Sequence, residues 1–285
     1  MSSLLLSKRR SIRWIVLSSS APLPIDKRRG QITIMDQGSS EVLPSWDLAE
    51  DRDFRYLTPK LQITPNDLSP TLLASKTFHI ISNPIRAKST VNDILFLRHS
   101  RGIEERPVFF WEPVPGVCSP DDWEDCLNAM KVVDVISPNV HEAGGFLGRT
   151  IDEEQPFEQI KDEIEELARE YTSHRIGNGG AVVLRCGKHG CLISTGEMVR
   201  WLPAFHQSGE MVVDPTGGGN AFCGGFCAGW VQSGGDIITA GIYGNIAASF
   251  VIEQYGLPVL KVAEGNEIWN GDTVEQRRKA YEARL

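Results

Sequence analysis

From Thr77 onward, short apolar runs alternate with longer stretches in which apolar and polar residues recur at helical spacing. Thr77 to Ser82 (TFHIIS) is a buried-strand candidate, ended by the turn pair Asn83-Pro84. A helix is expected from about Thr90 to His99. Pro107 to Trp111 (PVFFW) and Val132 to Ile136 read as further buried strands. Between them, Ser119-Pro120-Asp121-Asp122 has the order of cap, proline and first-turn acids that opens a helix, here to about Lys131. Phe157 to Tyr171 is a charged amphipathic helix. Ala181 to Leu184 and Cys191 to Ser194 flank the turn Gly187-Lys188-His189-Gly190, which predicts a hairpin or tight strand pair. Val199 to Leu202 and Met211 to Val213 are the last expected strands, followed by helices from Ala221 to Gln232 and from Ile237 to Gln254. Strands alternating with helices predict an α/β sheet covered on both faces, with ligands at the carboxyl ends of its strands.

The stretch Val212 to Phe226, VVDPTGGGNAFCGGF, concentrates the chemistry. Gly217, Gly218 and Gly219 carry no β-carbon, so backbone of positive φ could present successive N–H groups to a ligand. With a helix starting at Ala221, those groups would stand at its positive end, where an anion, most often a phosphate, is favoured. The competing reading is a glycine-rich turn that only joins a strand to a helix.

Composition narrows the function classes. The chain has 285 residues and a formal net charge of −8, which argues against nucleic acid as a partner. Its six cysteines show no C-x-x-C pair and no disulfide-scaffold spacing, so reduced thiols are expected, with Cys223 and Cys227 as small core residues one helical turn apart. The apolar run Trp14 to Leu17 is far too short to span a bilayer, so no membrane partner is expected. Residues 1–50 read as an atypical or disordered amino-terminal segment. Lys8, Arg9, Arg10 and Arg13 precede the first acid, Asp26, a composition shared by transit peptides and disordered tails. A cytoplasmic location is expected, with a mitochondrial one as the alternative.

The run DPTGGGNAFCGGF resembles the signature of the pfkB (ribokinase-like) carbohydrate kinases, in which a D-T-x-G-A-G-D stretch forms the anion hole and supplies the catalytic aspartate. Asn139-Val140-His141-Glu142 matches that family's N-x-x-E motif, Gly187-Lys188-His189-Gly190 its G-x-x-G turn, and Gly244-Asn245-Ile246-Ala247-Ala248 the helix segment bordering its adenine pocket. The phrases TPKLQITPNDL, FFWEPVP and DPTGGGN resemble the fungal maintenance-of-killer branch. The similarity covers roughly residues 53 to 258. It implies a ribokinase-like three-layer sandwich over residues 51–285, truncated at its start, with the amino-terminal strands and lid incomplete. It implies ATP and magnesium as cofactors, with a monovalent cation as a further candidate, a small hydroxylated substrate such as a sugar or nucleoside, and a homodimer as a candidate assembly.

By the same resemblance, Gly217, Gly218, Gly219 and Asn220 form the catalytic anion hole. Asn139, Glu142, Arg185, Gly187, Gly190, Thr216 and Asn245 border the nucleotide. Glu142 supports magnesium, and Asp214 either touches a monovalent cation or caps its turn. Hydrolytic zinc chemistry at His141-Glu142 is excluded because position 145 is Gly145. Glycines this late in the chain also disfavour a dinucleotide-dependent dehydrogenase.

Three departures bear on activity. Asn220 stands where the family carries its aspartate, and an amide can hold a hydroxyl but cannot take its proton. Arg185 and Cys186 replace the usual Thr-Leu; the arginine is read as a phosphate contact or as a strand-end surface charge. No G-G-x-x-x-N substrate motif is present. The expected function is therefore transfer of the γ-phosphoryl of ATP to a hydroxyl of a sugar-like substrate. The alternative is a catalytically impaired pseudokinase, acting as a nucleotide-binding or assembly protein.

Overall fold

The computed structural model describes residues 63–114 and 116–285, together with the backbone of a few short strands ahead of them. The expectations for residues 1–50, including the transit-peptide reading and the boundary at residue 50, lie outside the described residues. The centre of the fold is a seven-stranded sheet. In chain order its strands are β1 (Ile32–Met35), β2 (Thr77–Ser82), β3 (Val108–Pro113), β4 (Val135–Ile136), β5 (Ala181–Arg185), β6 (Cys191–Ser194) and β7 (Val199–Leu202). Neighbours in sequence are neighbours in the sheet; β1 to β5 run parallel, and β6 and β7 are antiparallel. The α/β sheet covered on both faces that the alternating pattern predicts is therefore found, and it is the central, mostly parallel sheet that the family resemblance implies. The hairpin around Gly187 to Gly190 is the β5–β6 pair. The strand Ile32–Met35 was not predicted.

The pleat sorts side chains onto two cores. Phe109, Trp111, Val182 and Leu184 face a layer built by α1 (Pro84–Ser100), α2 (Trp123–Met130) and α4 (Phe157–Ser173). Phe110, Val183 and Ile193, one residue out of phase, face α5 (Gly218–Ser233), α6 (Ile237–Val251) and α7 (Val274–Glu282). Sheet and helices thus form three layers. Cys223 and Cys227 are fully or almost fully buried in the second core, and all six cysteines are free. Among the described residues no helix is long and apolar enough to cross a membrane.

Several boundaries differ from the sequence reading. The first helix begins at Pro84, because Asn83-Pro84 is a helix start: the Asn83 side chain accepts a hydrogen bond from the Arg86 N–H, and Pro84 occupies the first helical position, where its missing N–H costs nothing. Met211 to Val213 is not a strand. Gly209–Met211 is a 3-10 turn, Val212 and Val213 are exposed, and the N–H groups of Val213 and Asp214 donate to the Ile252 carbonyl at the end of α6. Two β-branched residues suggested a strand, but among the described residues no strand pairs with them. The three glycines also do not share a conformation. Gly217 alone has positive φ, at 84°, and Gly218 and Gly219 are already the first turn of α5.

Candidate functional site

The parallel strands deliver their carboxyl ends to one place. Ser137 N–H donates to the Trp111 carbonyl at 2.8 Å, Arg185 N–H to the Pro138 carbonyl at 3.0 Å, and Trp111 Nε1 to the Ser82 carbonyl at 3.0 Å. These bonds hold the ends of β2 to β5 in register, so the residues that follow cannot move independently. Glu112 lies near the end of β3, and Arg185 ends β5. Asn139 follows β4 and caps α3 (Val140–Phe146).

Asn139 and Glu142 form a reciprocal capping box. Glu142 N–H donates to Asn139 Oδ1 at 2.7 Å, and Asn139 N–H donates to Glu142 Oε2 at 2.8 Å. The Asn-x-x-Glu spacing is therefore first a helix-start device, satisfying two N–H groups that α3 would leave unpaired. The same Glu142 Oε2 accepts from Arg185 Nη2 at 3.1 Å. Arg185 Nη1 reaches Glu112 Oε1 at 2.7 Å, and Glu112 Oε2 lies 2.8 Å from His79 Nε2. One guanidinium thus bridges two carboxylates, and a buried histidine backs the first of them. The Arg185 side chain is only 13% exposed, so it is not the strand-end surface charge that was one of its readings.

The two carboxyls respond oppositely. Burial pushes Glu112 up, but Arg185 and His79 outweigh it and hold the group at about 2. For Glu142 burial prevails; Arg185 and the Asn139 N–H recover only part, and the carboxyl stays raised. This ordering follows the geometry, since Glu112 has the shorter contact to the arginine and a second donor in His79.

Arg185 also ties this cluster to the glycine turn. A β-carbon on Gly219 would overlap Arg185 Nη1, so the helix start and the guanidinium are in direct apposition. The sequence reading required the Asn139–Glu142 motif to lie beside the triple glycine, and Arg185 joins the two. Because two carboxylates hold the guanidinium, it cannot retreat from an added methyl group. Gly219→Ala is expected to lower unfolding stability by about 1–3 kcal/mol, read from the urea midpoint; an unchanged midpoint would show that Arg185 is free to move.

The remaining predicted residues fall into three groups. Asn220 is exposed at the third position of α5, and Gly217 is exposed just before it. Gly218 N–H bonds the Pro215 carbonyl, whereas first-turn N–H groups such as those of Gly219 and Asn220 have no acceptor within a helix. Thr216 N–H donates to Asp214 Oδ1 at 2.9 Å, so Asp214 caps its own turn, the plainer of its two readings. In the hairpin turn, Gly187 faces outward near Glu153, which pairs with His141 at 3.1 Å. Gly190, at φ 88°, is packed against the backbone of residues 202–204, where any side chain would collide. Asn245 is brought to neither place. Its Nδ2 donates to the Leu202 and Pro203 carbonyls and to the Tyr281 hydroxyl, so the amide fastens α6 to the end of β7 and to α7. That amide is buried, and its Nδ2 is occupied within the fold.

The sequence reading missed Glu112 and His79. The signal was present: each is the one ionisable residue in a largely apolar strand, TFHIIS and VFFWEP. Burying such a group is costly without a partner, so an isolated His and Glu in adjacent strands imply each other.

The site fits one of the two implied groups. A phosphate suits the exposed start of α5, where positive-φ Gly217 precedes unpaired N–H groups and Arg185 adds charge. Magnesium does not suit the donor set. Glu142 Oε2 already accepts two hydrogen bonds, its carboxyl is raised, and a fixed cation sits 3.1 Å from it; Asp214 Oδ1 accepts from Thr216, so each carboxylate offers a metal one oxygen, and that of Glu142 stands beside a permanent positive charge. His79, Glu112 and Cys223 also converge closely enough to suggest an ion. However, Glu112 already has Arg185 on one oxygen and His79 on the other, so this group is a hydrogen-bonded part of the core.

Fold and site together define a ribokinase-like α/β sandwich with a glycine-capped helix at its strand ends. The chain belongs to the pfkB carbohydrate kinases: the family model, pfkB family carbohydrate kinase, matches residues 113–259. An uncharacterised protein of Schizosaccharomyces pombe is 38% identical over 248 residues, covering 81% of this chain and 66% of the relative. Protein MAK32 of Saccharomyces cerevisiae is 33% identical over 244 residues, covering 81% of this chain and 64% of the relative. The second match agrees with the maintenance-of-killer resemblance. The chain spans about two thirds of the length of these relatives. Among solved structures, the ribokinase of Giardia lamblia superposes with a TM-score of 0.53 at 17% identity, over 78% of this chain and 65% of that one. The ribokinase of Cryptococcus neoformans, in complex with ADP, gives 0.53 at 21%, over 77% and 65%. These likenesses show the fold.

Proposed function

We propose that the protein binds the phosphates of a nucleotide, with ATP as the expected ligand, at the start of α5, and that it is a phosphotransferase impaired in turnover. The observation that carries this reading is the position of Asn220. It is exposed at the third residue of the helix, where the family carries its base, and it cannot accept the proton of a substrate hydroxyl. The anion-binding half of the site is better preserved. The N–H groups of Gly219 and Asn220 would face the terminal phosphates, with Arg185 supplying charge; the ADP-bound Cryptococcus ribokinase supports a nucleotide as the ligand. A fully competent kinase of a sugar or nucleoside is the second reading, favoured by the survival of the glycine-capped helix in contact with Arg185 and through it with Glu142.

Isothermal titration with ATP and ADP, followed by ADP release against a panel of sugars and nucleosides, tests the proposal. The expected result is measurable nucleotide affinity with ADP release that no panel member raises appreciably. Substrate-stimulated turnover at rates ordinary for kinases, about 1–100 per second, would establish the second reading instead. Absence of nucleotide binding would remove both.

A further inference from the structure

Two carboxylates at adjacent strand ends share a single guanidinium, with Arg185 Nη1 at 2.7 Å from Glu112 and Nη2 at 3.1 Å from Glu142. The Nη1 that pairs with Glu112 also occupies the place a β-carbon on Gly219, the second residue of α5, would take. A permanent positive charge therefore stands between the carboxylate of the Asn-x-x-Glu motif and the helix start that suits phosphate. An arginine cannot be deprotonated in a protein, so this charge is present at every working pH.

A divalent cation in a phosphoryl-transfer site bridges protein carboxylates to phosphate oxygens and neutralises both. Arg185 already touches the carboxylates and the helix start. We infer that Arg185 takes the place of the divalent cation, so that the protein binds a nucleotide's phosphates without magnesium. Four observations converge on this. Glu142 Oε2 accepts from the Asn139 N–H and from Arg185, which leaves Oε1 as its one open oxygen, beside the guanidinium charge. Asp214 is engaged by Thr216. Glu112 is filled by Arg185 and His79. The arginine is held from two directions, which fixes its charge against Gly219 without help from a ligand. A planar fork of donors also suits phosphate oxygens as well as carboxylates.

This inference rests on the nucleotide-binding reading above, and the experiment separates the two. The full chain is titrated with ADP and with ATP, once in excess magnesium and once in excess EDTA. The expected result is a dissociation constant that agrees between the two buffers within about threefold. Binding that weakens tenfold or more in EDTA would overturn the magnesium-independent reading and leave nucleotide binding intact. No binding in either buffer would overturn the nucleotide reading and this inference with it. Arg185→Lys provides a second measurement, since it keeps the charge against both carboxylates but removes the fork. Its affinity in EDTA is expected to fall by about tenfold or more. Unchanged affinity in the folded variant, verified by its circular dichroism, would show that Arg185 is not the group that meets the phosphates.

Discussion

Asn220→Asp is expected to raise substrate-stimulated ADP release by on the order of a hundredfold or more, which is the range a positioned general base contributes. The change is nearly isosteric and falls on an exposed first-turn position of α5, where an acid is favourable to the helix, so stability should hold or rise slightly. The positive end of the helix favours the ionised form of the new carboxylate. Coupled-enzyme measurement of ADP release across the sugar and nucleoside panel reads the effect, with ATP affinity measured in parallel. Unchanged turnover at unchanged affinity would show that the amide at position 220 is not what limits the protein, and that the deficit lies on the substrate-facing side.

How much of this was legible in the sequence depends on which force decided each element. The buried strands were legible, because a strand covered on both faces is rich in apolar residues, as Phe78, Ile80 and Ile81 of TFHIIS and the first four residues of AVVLR are. So was the hairpin around Gly190, whose positive φ and packing against residues 202–204 demand glycine. A boundary set by a single side-chain bond was less legible: the strand ends at Ser82 as its pattern predicts, but the next helix starts at Pro84 rather than Thr90 because the Asn83 side chain caps it. The roles of Val212 and Val213 were misread because β-propensity describes a residue that has a neighbouring strand, and these have none. Asn139, Glu142 and the glycines were found as motifs, but Arg185 was left between two readings. Its true setting depends on Glu112, which is separated from it by 73 positions in the chain, and no local spacing announces such a pair.

That pairing sets the second large effect. Arg185→Met would leave Glu112 and Glu142 buried close together with their common counter-charge removed, a change expected to cost about 3–5 kcal/mol. Whole domains are stable by only about 5–15 kcal/mol, so the variant should approach its unfolding limit. Adding Glu112→Gln to Arg185→Met should recover part of the loss, because one of the two uncompensated charges is then gone; a double variant no more stable than the single one would show that the carboxylates do not share the arginine. The same pair predicts a pH dependence. Glu112 has a folded value of about 2 against an ordinary 4.5, so its contribution is fully present above about 4.5 and is lost as pH falls toward 2. Glu142 is raised and acts in the opposite sense, favouring the fold below 4.5 and losing that contribution as pH rises through its folded value. The decline in urea midpoint between pH 4.5 and 2 therefore belongs in part to Glu112, with Glu253 adding to it, since hydrogen bonds from Arg277 and Asn270 outweigh burial there and lower its carboxyl as well. In Glu112→Gln that decline should become shallower while stability at neutral pH drops. An acid limb of unchanged steepness would mean that the Arg185 bridge carries no net charge pairing in solution.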